Sequence, residues 1–413
     1  MTATPPSVSP LSECAWWRHD GALARFVADL LAAEFAQARP GRPAPRIPHD
    51  PDVDLVRDLG ADSLDLLALG TALAEALHLE RAAVDETLLE STRLGDWIAA
   101  ARAALEAGGG AVTFRTSGSS GAPKRCTHAL AALWQECDVL ASLVPETGRV
   151  LAAVPAHHIY GFLFTVLLPL RLGVHAVLDL RFATPAAMAR QARAGDLVVG
   201  HPGWWEGVRR LDPAFAPGIA GVTSTAPCPD ALADGLAAAG LRLLQVYGST
   251  ETAGVGWRER AGAPFALLPY WSRTADEDTL ERRLPDGTAA RYPLQDKLAW
   301  EDGRTFRPGA RRDGAVQVGG VNVFPAYVAD VLRLHPGVRE AAVRLMRPDE
   351  GVRLKAFVVP RAESHDPEAL ARELEAFVAE RLAAPERPAA WTFGPHLPRQ
   401  ASGKPADWII DAA

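Results

Sequence analysis

From Ala111 onward, short apolar runs such as AVTFRT, RVLAAVPA, GDLVVGHP and LRLLQVYG alternate with alanine-rich segments of helical spacing such as PDALADGLAAAG. A strand can lie parallel to the next one only across a connection long enough for a helix, so this alternation predicts a mostly parallel sheet covered on both faces. We assign it to residues 111–310. Beyond about Arg311 the texture changes. GAVQVGGVNVFP, REAAVRLMRP and VRLKAFVVP mix with the helix PEALARELEAFVAERL, which predicts a compact α+β unit over residues 311–413.

The first hundred residues read as helix. Apolar residues recur at helical spacing from Leu23 to Phe35, the proline-rich run ARPGRPAPRIPHDP breaks that helix, and alanine- and leucine-rich segments start at Ser63 and Leu94. The expected divisions are a flexible Pro/Ser-rich leader at 1–18, an all-helical unit at 19–106 and a glycine-rich linker at 107–110. A chain of 413 residues that is 48% hydrophobic can bury the cores of such a multidomain protein. Its net charge of −7 provides no footprint for nucleic acid, whose binders gather basic residues on one face. Cys14, Cys126, Cys137 and Cys228 lie far apart, in neither zinc-ligand nor disulfide-framework spacing. The opening residues lack the parts of a secretion signal, and the longest apolar stretch stops at Arg171, too short for a bilayer. The expectation is a cytoplasmic protein with no membrane partner.

Chemistry concentrates first in TSGSSGAPK. Thr116, Ser117, Gly118, Ser119, Ser120 and Gly121 follow a strand, where a turn of small residues presents backbone N–H groups and hydroxyls to one point, and Lys124 adds a cation. Such a nest suits phosphate oxygens. The spacing is not that of a P-loop, because Lys124 is followed by Arg125 rather than serine or threonine. Taken alone, such a run is more often a flexible turn.

Four further stretches follow in order: PAHHIYGF at 155–162, VYGSTETAG at 246–254, RRDGAVQVGGVNVFP at 311–325 and LPRQASGKP at 397–405. Together with TSGSSGAPK they resemble the ordered motifs of the adenylate-forming superfamily of acyl- and aryl-acid ligases, across residues 111–413. The resemblance implies that a carboxylate attacks the α-phosphorus of ATP and expels pyrophosphate, after which a thiol displaces AMP. Charge then builds on phosphate oxygens, which donors and cations stabilise. Carried over motif by motif, residues 116–124 would hold the β- and γ-phosphates, Thr250 would meet the α-phosphate, and Glu251, with Thr250, would hold Mg²⁺. Tyr247 and Gly248 would frame the adenine and acyl pocket, Asp296 the ribose hydroxyls, and Arg311 a ribose or phosphate. Lys404 would reach the reacting oxygens during adenylation, and Asp313 would be the hinge about which the C-terminal lid domain turns. Gln317 and Asn322 stand where the family has lysine and often arginine. His157 and His158, and Trp204 and Trp205 in GHPGWWEGV, are candidates to line the acyl pocket, with ordinary core packing as the alternative.

DLGADSLDLLALG at 58–70 resembles the attachment motif of acyl carrier proteins. That resemblance implies a fused four-helix carrier bundle whose Ser63 bears 4'-phosphopantetheine at a helix N-terminus, placed there by a phosphopantetheinyl transferase. A simple helix N-cap is the other reading of the same residues. With a carrier in that space, the adenylation core is shortened at its front. The whole then resembles ligases of aryl polyene-type pathways. It would activate an aryl acid, or secondly a fatty acid, and load a carrier protein in cis or in trans. A ligase using free CoA, or a non-catalytic scaffold, are the alternatives.

Overall fold

The computed structural model describes residues 15–39, 44–79, 88, 90–116, 124–347, 349–361, 366–398 and 407–408. They divide into two compact units. One takes the described residues up to Ala310 except 39, 116 and 124, and the other takes those three and everything from Arg311.

The first unit opens with helices α1 (Asp20–Ala38), α2 (Ser63–Leu77) and α3 (Leu94–Gly108). A two-stranded sheet of β1 (Ala111–Thr116) and β2 (Lys124–Ala129) leads directly into α4 (Leu130–Leu143). Then come β3 (Arg149–Ala152), β4 (Val177–Asp179), β5 (Asp196–Gly200), β6 (Ala220–Thr223) and β7 (Arg242–Ser249), neighbours in the order β4-β3-β5-β6-β7 and all parallel. The parallel sheet is the one the strand–helix alternation predicts. Its continuation is not: β8 (Ala253–Arg258) and β9 (Phe265–Leu267) run antiparallel from β7. A separate three-stranded sheet of β10 (Trp271–Arg273), β11 (Thr279–Arg283) and β12 (Ala289–Pro293) follows. Strands β13 (Asp296–Trp300) and β14 (Thr305–Arg311) close the large sheet to nine strands beside β9. Both faces of the parallel part are apolar and covered. Val150, Leu197, Val222 and Leu244 enter one core, and Leu151, Val198 and Leu243 the other.

The chain leaves β3 for β4 on one side and returns for β5 on the other. That reversal opens a crevice at the carboxyl ends of β3 and β5, the place where open α/β sheets bind ligands.

The N-terminal helices share the first of these cores, which corrects the expectation of a separate carrier bundle at 19–106. Phe162, just beyond the HHIYG run, takes Trp16 edge-on at 5.0 Å, with Phe26 of α1 at 5.4 Å and Phe114 of β1 at 5.5 Å. Polar ties reinforce the junction. Arg25 Nη1 donates to Thr165 O at 2.6 Å, and Asp29 Oδ2 accepts from Ala156 N at 2.7 Å. Arg115 bridges Glu34 of α1 at 2.9 Å and Glu75 of α2 at 2.8 Å. The leader expected through residue 18 ends earlier, since Trp16 and Trp17 are buried. The expected linker at 107–110 is partly helix, because α3 runs to Gly108. Helical spacing told that these segments are helices, but not what they pack against.

The second unit carries the hairpin β15 (Val316–Val318) and β16 (Val321–Val323), turned through Gly319 and Gly320, both at positive φ as a two-residue hairpin turn requires. Strands β17 (Val338–Leu345) and β18 (Leu354–Pro360) pair antiparallel, with β19 (Ala390–Phe393) parallel beside β18. Helices Pro325–Arg333 and Pro367–Ala379 bury Val328, Leu332, Leu370 and Leu374 in its own core. This is the small α+β unit expected there.

Because Phe162 joins α1 to the sheet, Phe162→Ala should cost about 3–5 kcal/mol in denaturant unfolding. Hydrogen exchange should show amide protection in α1 falling with it. Protection of α1 left at its wild-type level would mean that the N-terminal helices fold on their own.

Candidate functional site

The carboxyl ends of the parallel strands carry the polar residues that the sequence singled out. After β3 the chain makes the turn of Pro155 to His158 and re-enters helix at Ile159. Gly161 lies so close beneath this turn that a β-carbon would stand 1.8 Å from Pro155 O, which is why the residue is glycine. Tyr160 Oη donates to Gly200 O at 2.9 Å and ties the turn to the end of β5 across the crevice. The His157 and His158 rings lie 4.1 Å apart, and His157 Nδ1 is buried without a hydrogen-bond partner. Burial pushes the His157 imidazole well below its ordinary value, with the neighbouring His158 and Arg181 adding to the effect, while His158 itself is exposed. The His157 ring is therefore neutral near pH 7.

After β5, His201 caps the helix Pro202–Arg209 by accepting from Trp204 N at 3.3 Å. Trp205 is wholly buried, its Nε1–H donating to Val222 O at 3.1 Å. It belongs to the core, the alternative that the sequence left open for it. Trp204 is half-buried, its ring edge-on to Trp205 at 5.0 Å.

The turn after β7 is held from several directions. Tyr247 Oη donates to Asp296 Oδ2 at 2.7 Å, joining β7 to the first residue of β13. A β-carbon on Gly248 would meet Ala253 O at 2.1 Å, so the two arms of the turn touch backbone to backbone. Ser249 and Thr252 exchange hydrogen bonds across the turn at 3.1–3.2 Å. Thr250 and Glu251 stand at its tip, both half-exposed. An accessible carboxylate beside a hydroxyl is the hard-oxygen donor set that Mg²⁺ takes.

Sequence reasoning missed several groups here. Thr223 Oγ1 and Gln245 Nε2, cross-strand neighbours on β6 and β7, are buried without partners, as is Thr225 Oγ1. Thr225 also holds φ at 77°, a strained conformation for a β-branched residue. The signal for these was weak: small polar residues at strand ends are common.

In the second unit, Arg311 grips Asp313 through two hydrogen bonds of 2.8 and 2.5 Å. Burial alone would raise the Asp313 carboxyl, but Arg311 and the Ala315 N–H outweigh it and hold the carboxyl below its ordinary value. Gln317 and Asn322 face each other across the β15–β16 hairpin and hydrogen-bond to one another. Thr116 ends β1, and Lys124 opens β2 exposed. Ser117, Gly118, Ser119, Ser120, Gly121 and Lys404 lie outside the described residues. Three residues past Lys404, Asp407 accepts from Arg347 at 3.1 Å and Trp408 O from Arg344 at 2.7 Å.

Ser63 is the exposed first residue of α2. Asp62 is the cap, accepting from Leu64 N and Asp65 N, while Asp65 accepts from Asp62 N, all at 2.9 Å. This reciprocal capping box accounts for the Asp-Ser-Leu-Asp run in purely structural terms.

Residues 61–328 match the family described as AMP-binding enzyme, and residues 327–404 match the AMP-binding enzyme C-terminal domain. A 4-coumarate–CoA ligase of Cereibacter sphaeroides is 42% identical over 376 residues, covering 87% of each chain. Another, from Halorhodospira halophila, is 39% identical, covering 92% of this chain and 97% of its own. Residues 111–413 alone cannot supply such shares, so the likeness reaches into the N-terminal helices. Among solved structures, an amide bond synthetase from Marinactinospora thermotolerans has the same fold over 92% of both chains, with a TM-score of 0.60 at 20% identity.

The enclosed rings of His157 and of His128 in β2 set a pH dependence. The unfolded chain takes up protons as pH falls through 6.5, the ordinary imidazole value, whereas the folded chain keeps these rings neutral to lower pH. Their contribution is thus intact above that value and lost as pH falls below it. The urea midpoint should drop between about pH 7.5 and about pH 5.5, and drop less in His157→Phe. An equal drop in both proteins would show that His157 is not held neutral.

Proposed function

The chain belongs to the AMP-binding enzyme family and is an AMP-forming acid–thiol ligase, and from that premise we propose that it joins an aryl acid of the hydroxycinnamate class to coenzyme A. What carries this reading is the pair of 4-coumarate–CoA ligases that are about 40% identical over nearly the whole chain, N-terminal helices included.

In the first half-reaction the acid's carboxylate attacks the α-phosphorus of ATP and pyrophosphate leaves. In the second, the CoA thiol attacks the acyl carbonyl and AMP leaves. Residues 116–124 would cradle the β- and γ-phosphates, Thr250 the α-phosphate, and Asp296, oriented by Tyr247, the ribose hydroxyls. Glu251 and Thr250 would hold Mg²⁺, which when bound neutralises charge on the phosphate oxygens. The unpartnered Gln245, Thr223 and Thr225 groups would meet the nucleotide base. His157 and His158, beside the β3–β5 crevice, would face the acyl group, a neutral imidazole being a fitting partner for a phenolic hydroxyl. Lys404 would neutralise the oxygens between carboxylate and phosphorus, and a turn at Asp313 would withdraw it before the thiol arrives.

A second reading makes Ser63 a phosphopantetheine-bearing acceptor. Its support is the exposure of Ser63 at a helix N-terminus beside Leu64 and Leu67, which are 75% and 53% exposed. Its weight is reduced by the core that α2 shares with the sheet, and by relatives named for CoA.

The acceptor is decided by thioester formation from 4-coumarate and ATP. Ser63→Ala should form aryl-CoA at the wild-type rate. Failure to use CoA, with aryl mass appearing on Ser63 of pantetheinylated protein, would favour the carrier instead. Lys404→Ala should slow adenylate formation about 10²-fold or more, read as acid-dependent pyrophosphate exchange, and leave thiolysis of supplied aryl-AMP far less affected.

A further inference from the structure

Beneath the Thr250–Glu251 turn lies a buried polar network that none of the motifs includes. His128 of β2, four residues after Lys124, is buried against Phe114, with ring centroids 6.0 Å apart. Its Nε2 lies 2.7 Å from Thr250 O. A carbonyl only accepts, so Nε2 carries the proton and donates. Eight residues further, Glu136 of α4 is wholly buried, and its Oε1 accepts from Gly254 N at 2.8 Å. Glu136 pairs with the buried Arg282 of β11 at 3.7 Å. The Arg282 guanidinium lies over the Tyr270 ring at 4.3 Å and donates to Ala132 O at 2.5 Å and Thr252 O at 3.5 Å. From the opposite side, Trp271 Nε1 donates to Gly254 O at 2.7 Å. There is no slack: a β-carbon on Gly254 would stand 2.3 Å from Glu136 Oε1.

A buried ion pair is a poor source of stability, because desolvating both charges costs as much as their attraction returns. The arms of this one end on the backbone of residues 252–254, while His128 holds residue 250. What the network supplies is position. Position matters here because an in-line displacement at the α-phosphorus is governed by how accurately its donors are placed.

We infer that His128 and Glu136 are positioning residues for adenylate formation: they fix the turn of residues 250–254 against the β2–α4 segment that directly continues the phosphate-binding run. This rests on the functional reading above. Thr250 and Glu251 are thereby held to His128 of β2 and Glu136 of α4, and the network sets kcat of the first half-reaction rather than affinity for the acid.

The test is acid-dependent pyrophosphate exchange into ATP by the full chain, with 4-coumarate as the acid. His128→Leu, which removes the donor, should lower kcat about 10²-fold while leaving KM for the acid within about twofold. His128→Gln, whose amide N–H can reach the same carbonyl, should recover activity to within about tenfold of wild type. Glu136→Leu against Glu136→Gln supplies the same comparison should His128→Leu fail to fold, since glutamine keeps the acceptor for Gly254 N–H. Wild-type kcat in the leucine variants, or losses that glutamine does not relieve, would overturn the inference alone. An inactive wild type with every aryl and aliphatic acid would overturn the functional reading and the inference with it.

Discussion

The backbone from Thr250 to Gly254 is where the large sheet changes direction, and its shape is imposed from below. Parallel strands end at β7, antiparallel ones begin at β8, and the chain between them must expose a hydroxyl and a carboxylate while closing on itself at Gly248 and Ala253. Three residues of loop, 250–252, cannot hold such a form alone against the entropy of the unfolded chain. Buried donors and acceptors from β2, α4, β10 and β11 fix it instead, and the three-stranded sheet beside the main one acquires a purpose: it delivers Arg282 and Trp271 to that turn.

A similar economy governs the front of the molecule. The β1–β2 sheet and the helix after β3 carry apolar side chains, Phe114 and Phe162 among them, that must be covered. Here that cover comes from Trp16, Phe26 and the rest of α1, clamped by Arg25 and Asp29. Asp29 reaches the peptide of Ala156 immediately before the paired histidines, so the first helix steadies one wall of the β3–β5 crevice. A core that looks shortened when counted from β1 is completed by the residues ahead of it.

How much of this the sequence carried depends on the range of the interaction. Strand–helix alternation is local, and the parallel sheet and the α+β unit were legible from it. Motifs are local too, and TSGSSGAPK, VYGSTETAG and SGKP named the chemistry. Glu136 and Arg282, in contrast, are separated by nearly 150 positions, and each reads in isolation as an ordinary surface charge on a helix or strand. Asp62, Ser63 and Asp65 are ambiguous for a different reason. A capping box and a carrier attachment motif ask for the same residues, and only the core that α2 joins favours one over the other. Trp205 shows the same limit, since a paired tryptophan at a strand end fits a pocket wall and a core equally well until burial is known.

The account turns on the carboxylate itself attacking the α-phosphorus of ATP. The most direct measurement supplies the acid with heavy oxygen in its carboxylate and follows the label by mass spectrometry of the products. Attack at the α-phosphorus predicts one labelled oxygen in AMP and none in pyrophosphate. Unlabelled AMP, with thioester still formed, would contradict it.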